Sequence, residues 1–347
     1  MHSNSGRLLI LCSCLLFASF AMAKDAAPLF ADHATLHVTI EAPLRVISDQ
    51  RDSDEYHQGK LRYVESNGEM QELDVKMRAR GRYRRIPDTC DFPPIRLNFA
   101  KKAVKKTLFA RQDKLKLITH CRSRSDRHEQ VILREYLTYR FWQEMTDYSF
   151  RVRLLKINWI DSERPDDATE RYGFLLEDEM RLGKRIGMEL SNVRKVAANS
   201  LLADHSALLG VYEYMIANTD FSMLMGPAEE FCCHNVVLYK APEGHVPIPY
   251  DFDFAGLVNA PYATPNPKLR LRSVRTRLYR GRCEHNDRVD AAIEQFQSKR
   301  EDLYKLVDSQ PGMHPKYRKS VKKFLDAFYK TISNPKKVQS RLLKKCV

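Results

Sequence analysis

Glycine is scarce in this chain, 13 of 347 residues, and none of it forms a phosphate-cradling loop. The segment "RARGRY" (78–83) has one glycine among arginines, so the familiar glycine-rich phosphate motifs are excluded. There is no GxSxG elbow and no HExxH helix, which removes the usual signals of serine hydrolases and zinc proteases. Tryptophan occurs twice, at Trp142 and Trp159. Both lie in amphipathic segments, where a core position is the simplest role. Aromatic residues do not interleave with the basic stretches as they do in single-strand nucleic-acid platforms. No internal repeat or low-complexity linker is present. After residue 20, no apolar run approaches the roughly 20 residues a membrane-spanning helix needs.

The N-terminus reads as an export leader. Arg7 precedes the apolar run 8–20, and Ala21-Met22-Ala23 has the small-x-small form cut by signal peptidase. Cleavage after residue 23 would start the mature chain at Lys24 and place it in the periplasm or outside the cell. Of eight cysteines, Cys12 and Cys14 fall in the leader; Cys90, Cys121, Cys232, Cys233, Cys283 and Cys346 remain. An even number in an exported chain favours disulfides, and fifteen complete pairings are open. Zinc is the competing reading, through Cys232-Cys233-His234 and Cys283-Glu284-His285, although neither has a finger spacing.

The formal charge is +14, concentrated in stretches 101–127, 268–282 and 316–345. Such stretches attract nucleic acid, anionic lipid or nucleotide phosphates, or simply form a solvated face.

The first half reads as strands. Segments 34–47, 60–66 and 72–81 alternate apolar and polar residues, with the hairpin signal Asn67-Gly68 between the last two. Segments 93–99 and 114–120 continue an expected antiparallel sheet. Helical spacing appears over 129–145, with Asp126 as its expected cap, and strand character returns at 151–160 and 171–180. Helices are expected over 204–217, 287–309 and 314–333, with a strand-like insert at 235–253.

Within that insert, "IPYDFDFAGL" (248–257) places Asp251 and Asp253 two apart in an apolar run, where carboxylates are costly without a partner. On an extended strand both would face one side and could meet one metal cluster; the plain alternative is a buried turn that pairs with backbone N–H groups or arginine. Upstream, "IANTDF" (216–221) ends a helix with Asn218 and Asp220, and "CHNVVLY" (233–239) presents Asn235 before a strand. Phosphotransferases need an acid at the accepting hydroxyl, an acid on magnesium and often an amide oxygen. The chain supplies these three types. Typical protein kinases hold the catalytic Asp and metal-binding Asn about five residues apart; here Asp220 and Asn235 are fifteen apart, which excludes that loop.

The order of segments resembles the spore coat protein H (CotH)-like family of secreted atypical kinases, over most of 72–257. "MRARGRYRR" (77–85) is similar to its RGxS-type turn, and "DFPPIRLNFAKK" (91–102) to the strand that follows. "KLKLITHCRSRSDRHEQVILREYLTYRFWQEM" (114–145) resembles its sheet-to-helix segment, and "YGFLLEDEM" (172–180) its inter-lobe strand. "NTDF", "HNVVLY" and "IPYDFDFAG" resemble its Asn/Asp, Asn and WDxDxxFG elements.

The resemblance implies an α+β, bilobal, protein-kinase-like fold. A β-rich N-terminal lobe would span 24–180 and an α-rich C-terminal lobe with a basic tail 181–347. It implies Asp220 beside the acceptor hydroxyl, Asn235 as a metal or loop-positioning residue, Asp251 as the main magnesium ligand, and Asp253 behind it or on a second ion. The phosphate-binding lysine expected on a sheet strand is absent from "PPIRLNF", where Arg96 stands. Lys116 and Lys76 are alternatives, and Glu135 or Glu177 would pair with the chosen cation. The expected function is an exported kinase-like protein that binds ATP with Mg2+ or Mn2+ and phosphorylates protein hydroxyls. The alternatives are a catalytically inactive protein of the same build, or a basic envelope protein that binds an anionic polymer, surface or protein partner.

Overall fold

The computed structural model describes residues 26–228 and 230–347; the leader read from the sequence lies outside the described residues. Alternation in the first half becomes seven strands: β1 (Leu36–Ala42), β2 (His57–Val64), β3 (Met70–Ala79), β4 (Ile95–Phe99), β5 (Lys114–Ile118), β6 (Val152–Asp161) and β7 (Arg164–Leu176). They close into a barrel in the order β1-β2-β3-β4-β5-β7-β6. Closure comes from β1 and β6, which pair in parallel with Leu36 opposite Leu155 and Ala42 opposite Asp161. Every other barrel pair is antiparallel.

This closed barrel, with helices packed outside it, overturns the expected bilobal protein-kinase-like fold. The antiparallel sheet read from alternation is right for the hairpins. The parallel seam that removes both sheet edges leaves no local signature, because its partners lie more than a hundred residues apart.

Local differences have local causes. Pro43 ends β1, and the expected continuation to residue 47 becomes helix α1 (Leu44–Asp49). Helix α2 (Asp126–Met145) has Ser125 rather than Asp126 at its N-cap. The strand expected to run to 180 stops at Leu176. There Asp178 accepts hydrogen bonds from the backbone N–H groups of Met180 (3.0 Å) and Arg181 (3.3 Å) and starts helix α3 (Glu179–Ile186). Beyond it come β8 (Glu189–Leu190), α4 (Ala203–Ile216), β9 (Val236–Ala241), β10 (Gly244–Pro249), α5 (Val289–Ser298), α6 (Arg300–Ser309), α7 (Pro315–Ile332) and α8 (Pro335–Arg341). Strands β8 to β10 make a small antiparallel sheet.

Two apolar cores result. One fills the barrel with inward residues such as Ile95, Leu97, Phe99, Leu115 and Leu117. The other gathers α2, one face of β6 and β7, the small sheet and the C-terminal helices. Helix α2 is buried almost all round because it lies between barrel and helices. Trp142 shows how: its ring centroid is 4.7 Å from that of Tyr212, and its indole N–H donates to the Tyr148 carbonyl at 3.0 Å. Among the described residues, no helix is long and apolar enough to cross a membrane.

The cysteines join Cys90 to Cys121, Cys283 to Cys346, and the adjacent Cys232 and Cys233 to each other.

Candidate functional site

Inward apolar residues on β3, β4 and β5 leave their neighbours on the outer face of the barrel. The register sets Arg78 opposite Arg96 and Arg96 opposite Lys116, so three cations form a row across three strands. Like charges placed directly opposite one another destabilise a sheet, so such a row needs anions. Asp54 is paired with Arg78, and Lys116 reaches Glu179 of α3 at 2.6 Å. Arg96 makes no ion pair among the described residues. Its Nε, like that of Arg80 just past β3, is buried without a hydrogen-bond partner. A buried donor left unpaired costs about 1–3 kcal/mol, and a phosphate oxygen would satisfy it.

Carboxylates from two loops approach this face. Helix α4 ends at Ala217, which adopts the left-handed conformation (φ 53°) and turns the chain into Asn218-Thr219-Asp220. The second loop, 250–257, docks on that helix end: the Gly256 and Leu257 N–H groups donate to the Ala217 and Ile216 carbonyls at 3.0 and 2.9 Å. Only glycine fits at 256, where a Cβ would lie 2.3 Å from the Val274 oxygen. The docking fixes Asp251 relative to Asp220.

Asp251 is not on a strand. It follows the end of β10 with φ 61°, and its N–H donates to the Tyr139 hydroxyl at 2.8 Å. That turn separates the two acids in environment, leaving Asp251 exposed and Asp253 6% exposed. The shared strand face expected for the pair therefore does not form. Burial first, then the neighbouring Asp251 charge, pushes the Asp253 carboxyl up to about 7, and the Tyr262 hydroxyl donates to it at 3.1 Å.

Asp220 is held on both oxygens. His234 Nε2 lies 2.7 Å from Oδ1, and Asn235 Nδ2 donates to Oδ2 at 3.1 Å and to the Asp220 carbonyl at 2.7 Å. The hydrogen bond to Asp220 raises the His234 pKa above its ordinary value. Asn235, like Asp251, has positive φ (52°), and side chains held in that region cluster at functional sites.

The structure thus brings Asp220, Asn235, Asp251 and Asp253 into one neighbourhood, with Arg96 and Lys116 on the facing barrel wall. Glu177 is elsewhere engaged: Arg185 clasps both its oxygens at 3.0 and 2.9 Å, and the Arg151 N–H donates to it at 3.0 Å. Glu135 meets Arg84, 3.6 Å away, in a buried pair. Desolvation holds the Glu135 carboxyl well above the usual range despite that arginine. The sequence points to His234 only as a zinc candidate beside Cys232 and Cys233, to Arg80 only as one member of an arginine run, and to Tyr139 and Tyr262 not at all. The arginine run 78–85 was the one visible signal, and its spacing does not say which members turn inward.

Among the described residues, no three His, Cys, Asp or Glu side chains stand close enough to hold a metal alone. Magnesium sites on phosphates do not require it: one or two carboxylates suffice, with phosphate oxygens and water completing the octahedron. The exposed Asp251 carboxylate, the Asn235 amide and the arginines with unpaired Nε atoms fit a cation that arrives on phosphates. Compared with family models, curated proteins and solved structures, the chain matches none.

Proposed function

We propose that this protein binds a nucleoside triphosphate with Mg2+ or Mn2+ between the outer barrel face and the Asp251 loop, and transfers the terminal phosphoryl group to a protein hydroxyl. The observation that carries the reading is an exposed Asp251 carboxylate in the electrostatic reach of Arg80, which with Arg96 keeps a buried Nε that has no partner. The cation, when bound, neutralises charge on the phosphates. Arg80, Arg96 and Lys116 hold and orient the phosphate oxygens; guanidinium forks suit two oxygens at once. Asp220, steered by His234 and Asn235, accepts the proton of the incoming hydroxyl, and Asp253 with Tyr262 supports the Asp251 turn. The leader-like N-terminus and the disulfides support an exported setting.

The test is transfer of labelled phosphate from ATP by purified protein with Mg2+ or Mn2+, wild type against Asp251→Ala, alongside titration of nucleotide binding. Label and cation-dependent binding that are both lost in the variant support the reading. Cation-dependent binding without transfer would reduce it to a nucleotide-binding protein. Binding unchanged by Asp251→Ala would overturn it.

A further inference from the structure

A second concentration of positive charge lies along α3. Two adjoining cavities of about 320 and 290 Å3 share Arg111, Gln112, Arg181 and Lys184; Arg96 and Lys114 line the second. The loop between β4 and β5 supplies Arg111 and Gln112, while Arg181 and Lys184 project from the first turns of α3.

The acids in the same lining are already committed. Glu177 is clasped by Arg185, Asp113 pairs with Lys101 at 3.1 Å, and Asp178 caps α3. Arg96, Arg111, Lys114, Arg181 and Lys184 make no ion pair among the described residues. Gln112 is an independent sign of a ligand: it is 2% exposed, and its Nε2 is buried with no acceptor. A buried amide donor without an acceptor, between cations without ion pairs, is complementary to an anion.

We infer that this groove is a binding site for a phosphate-bearing anion. Arg111, Arg181 and Lys184 supply the charge and Gln112 Nε2 a directed hydrogen bond. The anion needs more than one negative charge and several acceptor oxygens to engage these donors together, which favours phosphate esters over a simple carboxylate. A soluble phosphate compound and a phospholipid headgroup offer the same chemistry. The inference does not rest on the reading of Asp251, and Arg96 is the one residue the two sites share.

The experiment titrates pyrophosphate into the full chain by calorimetry at physiological ionic strength, comparing wild type, Arg181→Ala/Lys184→Ala and Asp251→Ala. The substituted cations are surface side chains outside the cores, and melting curves confirm that each variant is folded. Saturable binding that weakens at least tenfold in the double variant, equivalent to about 1.4 kcal/mol, and persists in Asp251→Ala is the expected result. No saturable binding, equal binding by the double variant, or loss in Asp251→Ala would overturn the site.

A parallel arm floats the protein with vesicles of phosphatidylglycerol in phosphatidylcholine. Flotation lost in the double variant and competed by pyrophosphate assigns a headgroup; pyrophosphate binding without flotation assigns a soluble ligand. Flotation retained by the double variant would show that charge elsewhere attracts the vesicles and count against the groove.

Discussion

His234 Nε2 and Asp220 Oδ1 lie 2.7 Å apart, and Asn235 holds the other oxygen of the same carboxylate. The pair makes His234 easier to protonate than a free histidine. The charged pair is present while His234 is protonated beside the ionised carboxylate, and it is lost as pH rises through the raised pKa of His234. Replacing Asp220 by Asn removes the acceptor charge, so the His234 titration, followed by NMR of its ring protons, falls back toward the ordinary value of about 6.5. In the same variant, phosphate transfer drops by roughly 10²–10⁴-fold, the usual range for a lost general base. Nucleotide KM changes little if Asp220 serves the acceptor hydroxyl, as proposed, rather than the phosphates.

On the proposed reading, variants of Asp251 separate ligand binding from folding. Its left-handed backbone (φ 61°) is one glycine adopts freely, while its exposed carboxylate contributes little to packing. Asp251→Gly is therefore expected to leave the urea midpoint unchanged or slightly raised, yet to abolish cation-dependent nucleotide binding. Asp251→Val lowers the unfolding free energy by about 1–2 kcal/mol, and the urea midpoint with it, since a branched residue is strained at that φ. Equal loss of stability in both variants would show that the acid serves the fold.

Two buried groups on the helical side tilt stability with pH in opposite directions. Burial pushes the Glu213 carboxyl up to about 8 and the His205 imidazole down to about 4. Between the usual carboxylate value and 8, folded Glu213 keeps a proton that the unfolded chain releases, so its contribution falls as pH rises through that window. His205 must stay neutral, so its contribution falls as pH drops from about 6.5 towards 4. Subtracting the melting profile of Glu213→Gln from wild type isolates a decline between the usual carboxylate value and about 8 that approaches about 1.4 kcal/mol per pH unit. His205→Gln isolates the acid decline. A flat difference profile for either variant refutes its part.

The contrast between β4 and the Asp251 loop shows what the sequence reveals. Ile95-Arg96-Leu97-Asn98-Phe99 alternates without exception, so strand, inward face and outward Arg96 are all legible from period two. The barrel is not, because parallel pairing of β1 with β6 depends on contacts between distant segments. Asp251 and Asp253 are legible as acids out of place; of the two alternatives the sequence leaves open, the strand does not form and the turn does, with only Asp253 buried in it. A left-handed Asp after Pro249 turns the chain and buries one acid while exposing the other. The sequence offers Glu135, like Glu177, as a partner for whichever of Arg96, Lys116 or Lys76 binds phosphate; its actual neighbour, Arg84, comes from a turn whose direction no local pattern encodes.

The C-terminal disulfide connects stability to the site through a chain of contacts. Cys283 to Cys346 closes a loop with a sequence separation of 63, and the Val347 N–H donates to the Gly281 carbonyl at 3.0 Å. Just before Cys283, Arg280 donates to the carbonyls of Thr219 and Phe221 at 2.6 and 2.9 Å, bracketing Asp220. On the chain-entropy account, removing this crosslink costs about 4 kcal/mol, and removing Cys90 to Cys121 with its separation of 31 costs only about 0.6 kcal/mol less. The paired serine variants should therefore lose similar stability in urea titrations, and the two bonds differ in where the loss is felt. Without Cys283 to Cys346 the Arg280 segment loosens, and hydrogen exchange should rise at 219–221 while β5 stays protected. Arg280→Ala should reproduce that local exchange with both bonds intact, because it removes the same two hydrogen bonds directly. Protection at 219–221 that survives both changes would show that Asp220 is held by His234 and Asn235 alone.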